Sequence, residues 1–300
     1  LASVAATKML ISLTLVMAAM TPPLIGQTAW SSPDAMHRFV RELCAQPTEG
    51  RAAYVRGALQ QIGVKVREQS FDTLLLSARD TLRLNGTNLI VRFGEGTPVT
   101  VVGGHLDAVP NSPGANDNAA AVAVMLALIS EWRAEGAPGA VEVVFFDREE
   151  NGRIGSDVYA RTIDPASHRA SINLDMVGMG DEVYVGPVGG GDDDRMLPAL
   201  RKAADSLGLN AVFSGEFPDG DHESFARLGL ENLSISVLPR GDAAKLSRLL
   251  KDGWSGKNED MPRMLKTVHL PSDSPDLVEP ASLALVLNFV RTAVVLLNTP

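Results

Sequence analysis

The sequence predicts an α/β protein: a three-layer sandwich with a mainly parallel central sheet and helices on both faces. Two observations carry this. Strand-like and helix-like segments alternate from about residue 64 onward, and the strand "PVTVVGG" (98–104) is uninterruptedly apolar, as in a sheet covered on both faces. A third concerns function. Carboxylates and histidines stand just beyond the apolar strands, where such sheets bind ligands.

The elements follow in order. "SSPDAMHRFVRELCA" reads as a helix with Ser32 as its cap and Pro33 in the first turn. "GRAAYVRGALQQIG" is a second helix, stopped by Gly63. "VKVREQSF", "DTLRL" and "TNLIVRF" read as three strand segments, followed by "PVTVVGG". A turn-rich loop, "HLDAVPNSPGAN", leads into the helix "DNAAAVAVMLALISEW". The strand "AVEVVFF", a short helix near "GSDVYARTI" and the strand "ASINLDMVG" come next. "GPVGGGDDD" is a loop, "DDDRMLPALRKAADSLG" a helix with an acidic start, and "ESFARLG" a helix before the strand "LENLSISVL". "PASLALVLNFVRTAVVLL" is a long closing helix.

Composition bounds the function. Of 300 residues, 45% are hydrophobic, enough for a sizeable core. Asp plus Glu number 36 against 27 Lys plus Arg, a net charge of -9, and no basic block interrupts this. Nucleic acid is therefore excluded as a partner. The single cysteine, Cys44, allows neither an internal disulfide nor a thiolate zinc site, and its place on an apolar helical face predicts an inert thiol. Residues 1–29 read as a signal peptide: Lys8 precedes an apolar run from Met9 to Met20, too short to span a bilayer, with Pro22 and Pro23 behind it. Residues 30–300 then form a single domain, secreted or periplasmic, with no stable membrane span after processing.

The strand exits hold the chemistry. His105 and Asp107 follow "PVTVVGG"; Asp147, Glu149 and Glu150 follow "AVEVVFF"; Asp175 ends "ASINL"; Asp117 opens the helix after the first loop; His269 precedes the closing helix. Each has a plain structural alternative taken singly, such as helix N-cap for Asp117 or solvated turn for Glu149 and Glu150. Together, imidazole and carboxylate without thiolate make a donor set for zinc. Of the adjacent glutamates, one can ligate metal while its neighbour holds a proton.

Five motifs in order resemble those of the co-catalytic dizinc aminopeptidases over about residues 35–295: "GGHLDAVPNSPGANDNAAAVAVMLALI", "FFDREENGRIGSDVYA", "INLDMVG", "GDHESFARLGL" and "VHLPSDSPD". The resemblance implies two zinc ions per chain. His105 and Asp175 would bind one, Glu150 and His269 the other, and Asp117 would bridge them. Glu149 would be the general base and Asp107 would orient His105. It also implies a cis peptide at Asp117-Asn118. Gly220 stands where the family has Ser, Leu270 follows His269 in place of Thr, and Ser274 replaces the final Thr. These departures touch substrate contacts rather than ligands; Asp221 and His222 belong near the pocket without an assigned role. The implied activity is removal of the N-terminal residue from a peptide with a free N-terminus. The alternatives are a glutaminyl cyclase or carboxypeptidase relative, and a non-catalytic metal-stabilised binding domain.

Overall fold

The computed structural model describes residues 29–76, 81–189 and 195–299. The segment read as a signal peptide, except for residue 29, lies outside them, as do Asp192, Asp193 and Asp194 of the acidic loop.

Two helices come first, α1 (Pro33–Cys44) and α2 (Thr48–Ile62). The Ser32 side chain accepts the Ala35 N–H at 3.2 Å, and Gly63 ends α2 in the left-handed region, as their sequence suggests. Strands β1 (Val66–Leu76) and β2 (Thr81–Phe93) form a long antiparallel pair, so "DTLRL" and "TNLIVRF" are one strand rather than two. Then come β3 (Val99–His105), α3 (Ala120–Glu135), β4 (Val141–Phe146), α4 (Ile154–Ala160) and β5 (His168–Leu174). The remainder is β6 (Glu182–Gly186), α5 (Met196–Leu207), β7 (Asn210–Phe213), α6 (His222–Ala226), β8 (Asn232–Leu238), α7 (Asp242–Asp252) and α8 (Pro280–Asn298). The sequence reading missed β6, β7 and α7.

The sheet has eight strands in the order β1-β2-β4-β3-β5-β8-β6-β7. Its centre, β4-β3-β5-β8, is parallel throughout. Antiparallel pairings flank it: β2 runs against β4, β1 against β2, and β6 against β8. The edge pair β6–β7 is parallel again, so the sheet is mainly parallel, as the sequence predicts, with antiparallel pairings only at β1–β2, β2–β4 and β6–β8.

Both faces of the central strands are covered, and alternate side chains divide between them. In β4, Val141, Val143 and Phe145 enter the principal core, while Val144 and Phe146 enter a second core with Tyr159 and Phe225. The principal core packs under α1, α3, α5 and α8. The opposite face carries α4 and α6, and α7 covers Tyr184 and Leu238 there. Helix α8 is long and apolar enough to cross a membrane by length and composition, but its Val286, Phe289, Val290 and Val294 are fully buried in the principal core.

This winding decides where a site can form. The chain leaves β3 through α3 on one face to reach β4 on one side. It leaves β4 through α4 on the other face to reach β5 on the far side of β3. The direction of winding reverses at β3, which opens a crevice beyond its carboxyl end. Gly103 and Gly104 precede that end. A Cβ on Gly103 would lie 2.4 Å from the Phe146 ring, and one on Gly104 would lie 2.7 Å from the Leu174 carbonyl oxygen. Without side chains there, β3 sits tightly between its neighbours and delivers His105 to the crevice floor.

Candidate metal centre

Three adjacent strand ends supply the site. His105 closes β3 and is 2% exposed; Asp175 follows β5; Glu149 and Glu150 sit in the turn after β4. His269, with a side chain 54% exposed, comes from the loop before α8 and closes the site on its solvent side.

Asp117 stands between the two histidines. Its Oδ1 lies 3.1 Å from His105 Nε2 and its Oδ2 lies 3.3 Å from His269 Nε2. His269 Nε2 is also 3.0 Å from Glu150 Oε2. Asp175 Oδ1 is 3.8 Å from His105 Nε2, too long for a hydrogen bond. The five residues expected as ligands therefore fall into two groups that share Asp117.

Asp117 does not cap a helix. Residues 115–119 form a π-type turn in which Asp117 and Asn118 have non-helical backbone angles, and α3 begins only at Ala120. The Asp117-Asn118 peptide is cis, as the resemblance implied. Gly114 enters this turn at φ 58, where a Cβ would come within 2.6 Å of the Ala108 side chain. Four polar side chains fix the turn, a task that no motif or spacing marks in advance. Asp273, fully buried, accepts the N–H of Asn116 at 2.9 Å and of Asp117 at 3.1 Å. Asn118 donates to the Leu174 carbonyl and accepts from the Met176 N–H. Asn116 accepts the Gly178 N–H at 2.8 Å. The two asparagines thus lock the turn to the segment that carries Asp175. The fourth, Arg51 of α2, is 1% exposed and donates to the carbonyls of Leu106 and Pro113, across the loop that leads from His105 to Asp117. Asp273 lies inside the last of the five motifs, so the pattern carried the residue but not its role.

Asp107 does more than face His105. Its Oδ1 lies 3.5 Å from His105 Nδ1. The same carboxylate accepts the backbone N–H of Glu149 at 3.0 Å and of Glu150 at 3.2 Å. It therefore fixes the peptide from which both glutamate side chains project. Asp147, next to them in sequence, turns away: its Oδ2 accepts the Thr87 N–H at 2.8 Å, tying β2 to the β4 exit.

The electrostatics of the cluster call for a cation. Burial first, then the charges of Asp221, Asp175 and Glu150, push the Glu149 carboxyl up to about 9 against the pull of His105. Glu150 is pushed up to about 7, by burial and then by Asp117. Burial lowers His105, but the carboxylates of Asp107, Asp117 and Asp175 that face its two ring nitrogens outweigh it and the net shift is well upward. The Asp117 carboxyl is raised by burial, yet His105 and His269 hold it below its ordinary value overall. Glu150 Oε1, Asp175 Oδ1 and His105 Nδ1 are buried without a hydrogen-bond partner among the described residues. One ligand atom each from His105, Asp117 and Glu150 lie within 4.8 Å of one another. This imidazole and carboxylate set fits zinc.

Asp221 and His222 are both buried at the start of α6. Neither Asp221 oxygen has a hydrogen-bond partner among the described residues, and burial pushes its carboxyl up to about 7. Burial and then Arg153 push His222 down to about 4. A Cβ on Gly220 would lie 3.3 Å from Asp175 Oδ2, so a Ser side chain there would press against that carboxylate. His37 and His168 take no part: His37 bonds the Pro275 carbonyl and His168 bonds Ser167 and the Asp164 carbonyl. Cys44 is half-buried and its thiol is pushed up to about 12 by burial, in keeping with an inert residue.

The sequence profile described as Peptidase family M28 matches residues 88–294, which include every residue of the cluster. The chain belongs to peptidase family M28. Among curated proteins, this M28 chain is 29% identical to "Aminopeptidase YwaD" of Bacillus subtilis over 144 residues, 46% of this chain and 31% of the relative. It is 26% identical to "Probable lipoprotein aminopeptidase LpqL" of Mycobacterium tuberculosis over 224 residues, 67% of this chain and 44% of the relative. The M28 chain thus spans less than half the length of these two relatives. Its fold is shared with BSAP, a zinc aminopeptidase from Bacillus subtilis, at a TM-score of 0.70 and 15% identity over 88% of this chain and 94% of the other. It is equally shared with a glutaminyl cyclase of Porphyromonas gingivalis, at a TM-score of 0.70 and 21% identity over 89% and 99%.

Proposed function

We propose that this M28 chain is a zinc-dependent aminopeptidase that uses two zinc ions per chain. The observation that carries the reading is Asp117 presenting one carboxylate oxygen to each of two histidines, with Asp175 beside the first and Glu150 beside the second. His105 and Asp175 would hold one ion, Glu150 and His269 the other, and Asp117 both. Zinc, when bound, supplies Lewis-acid polarisation of the scissile carbonyl and makes water a competent nucleophile near neutral pH.

The chain's own groups do the rest. Glu149 takes the proton of the attacking water on its carboxylate and returns it to the leaving amine. Asp107 holds that glutamate in place through its backbone N–H. The crowd of carboxylates, with Asp175 and Glu149 foremost, receives the substrate's ammonium group, and this selects the free N-terminus.

Residues 30–300 form the one peptidase domain in this reading, and Lys8 with the apolar run to Met20 directs it out of the cytoplasm. The relative named as a lipoprotein aminopeptidase supports export. Mass spectrometry of exported protein should find an N-terminus between Ala18 and Ser32; an intact leader on cytoplasmic protein would refute it.

A zinc titration of chelated protein tests the core of the proposal. Hydrolysis of a leucine anilide should vanish on chelation and return with zinc, to a maximum at two ions per chain. Full activity in metal-free protein, or a maximum at one ion, contradicts it; the second outcome favours the cyclase-like alternative.

A further inference from the structure

We propose that Arg148 receives the terminal carboxylate of a short peptide substrate, so that the enzyme prefers di- and tripeptides with a free C-terminus. This rests on the aminopeptidase reading above and concerns the leaving side of the peptide.

Two clefts meet at Arg148. The first, about 330 Å³, is lined by Glu150 of the candidate metal centre and by the loop 108–112. The second, about 600 Å³, lies between α2 and the β1–β2 pair. Both volumes fall in the range of about 300–1,000 Å³ usual for small-ligand sites. Thr48, Glu49 and Arg148 line both clefts, which are therefore neighbours there, and Glu150 lines the first.

The Arg148 backbone is fixed at φ 65 between two anchored neighbours, Asp147 on the Thr87 N–H and Glu149 on the Asp107 carboxylate. Its Nε donates to the Asn85 carbonyl at 2.9 Å. That places the guanidinium at the junction and leaves both terminal NH2 groups without an acceptor among the described residues. The other cations nearby are engaged. Arg56, which lines the second cleft, is bidentate with Glu68 at 2.7 Å, and Arg153 pairs with Glu223 at 3.1 Å. Glu49 also lines both clefts, and no ion pair between it and Arg148 occurs among the described residues. A free guanidinium fork is the side chain best matched to a carboxylate.

The charge pattern orients the substrate. The carboxylate cluster draws the ammonium end, and Arg148, in the cleft that Glu150 also lines, takes the opposite end. An extended peptide advances about 3.3–3.6 Å per residue, so a few residues separate its two charged ends by the dimensions of such a cleft.

The test is kcat/KM of the zinc-loaded protein on Leu-Gly and Leu-Gly-Gly and on their C-terminal carboxamides. The acid should exceed the amide by about tenfold or more at one of the two lengths, mainly through KM, the size of one charge-assisted hydrogen bond. Arg148→Gln should erase that preference and Arg148→Lys should keep part of it, with zinc content and melting temperature as checks on folding. Equal rates on acid and amide at both lengths in the unaltered protein overturn the proposal without any variant. So does a preference that survives Arg148→Gln. If a leucine anilide is cleaved and no acid preference exists, only this subsite fails. If no free-amine substrate is cleaved at all, the aminopeptidase reading itself fails.

Discussion

Asp273 holds Asp117 from behind: its buried carboxylate accepts the Asp117 backbone N–H at 3.1 Å through Oδ2, while Oδ1 takes the neighbouring Asn116 N–H at 2.9 Å. The two residues are 156 positions apart, and the contact brings the loop of His269 against the turn of Asp117. Asp273→Asn keeps the shape but replaces one acceptor oxygen by a donor facing an N–H. Zinc affinity should fall by roughly 10–100-fold, as for other residues that orient ligands. Competition with a zinc-binding dye measures it; an unchanged affinity would mean that the turn holds itself.

Asp107 makes the corresponding contact for the glutamate pair. Asp107→Asn should lower kcat roughly tenfold or more through misplacement of Glu149, with KM on a leucine anilide changed less. Steady-state kinetics on zinc-saturated variant separates this from a loss confined to metal binding.

The glutamates themselves should behave differently. Glu149→Gln should retain both ions and lose turnover by roughly a hundredfold or more, because it removes the proton carrier. Glu150→Gln should lose zinc first. Metal analysis of the two purified variants decides, and equal zinc loss in both would mean that the pair is assigned wrongly.

Metal-free protein should lose stability as pH rises. Glu149, Glu150 and Asp221 are pushed up to about 9, 7 and 7 by burial and neighbouring charge, and His269 up to about 9 by Asp117. A raised folded value stabilises fully below the unfolded value and is lost through the folded one. The loss begins near pH 3.8 for Asp221, near 4.5 for the two glutamates and near 6.5 for His269; it is complete near 9. Urea unfolding of chelated protein between pH 5 and 9 should give a falling midpoint, and saturating zinc should flatten the slope. A midpoint that rises over that range would contradict the charge crowding described here.

Arg51 should matter to the fold as much as to the site, since its guanidinium ties α2 to carbonyls on both sides of the 106–113 loop. Arg51→Met leaves those buried carbonyls without a donor, at roughly 1–3 kcal/mol each. The melting temperature should drop in both the metal-free and zinc-loaded protein; no change would remove Arg51 from the account.

The legible part of this protein was its strand ends. An apolar run that stops at His105, at Glu149-Glu150 or at Asp175 announces itself locally, and the order of the motifs did the rest. Strands β6 and β7 escaped because five and four residues leave no room for periodicity. The antiparallel pairings β1–β2, β2–β4 and β6–β8 are not legible because direction is a property of pairing, which no single strand encodes. Asp117 taken singly has the sequence of a helix cap, and only its motif marks it as a ligand; the turn at 115–119 excludes the cap. Asn116, Asn118, Asp273 and Arg51 are ordinary polar residues in sequence, and their tasks arise only from partners more than fifty positions away.

The central claim is that this centre acts on the free amino end of a peptide. The ratio of kcat/KM for a leucine anilide to that for its N-acetylated form, on protein saturated with zinc, tests it most directly. The arrangement of carboxylates around Asp117 predicts ready cleavage of the free amine and a nearly inert blocked form. Similar rates on both, or release of residues from the carboxyl end of a peptide, would contradict it even with both ions bound.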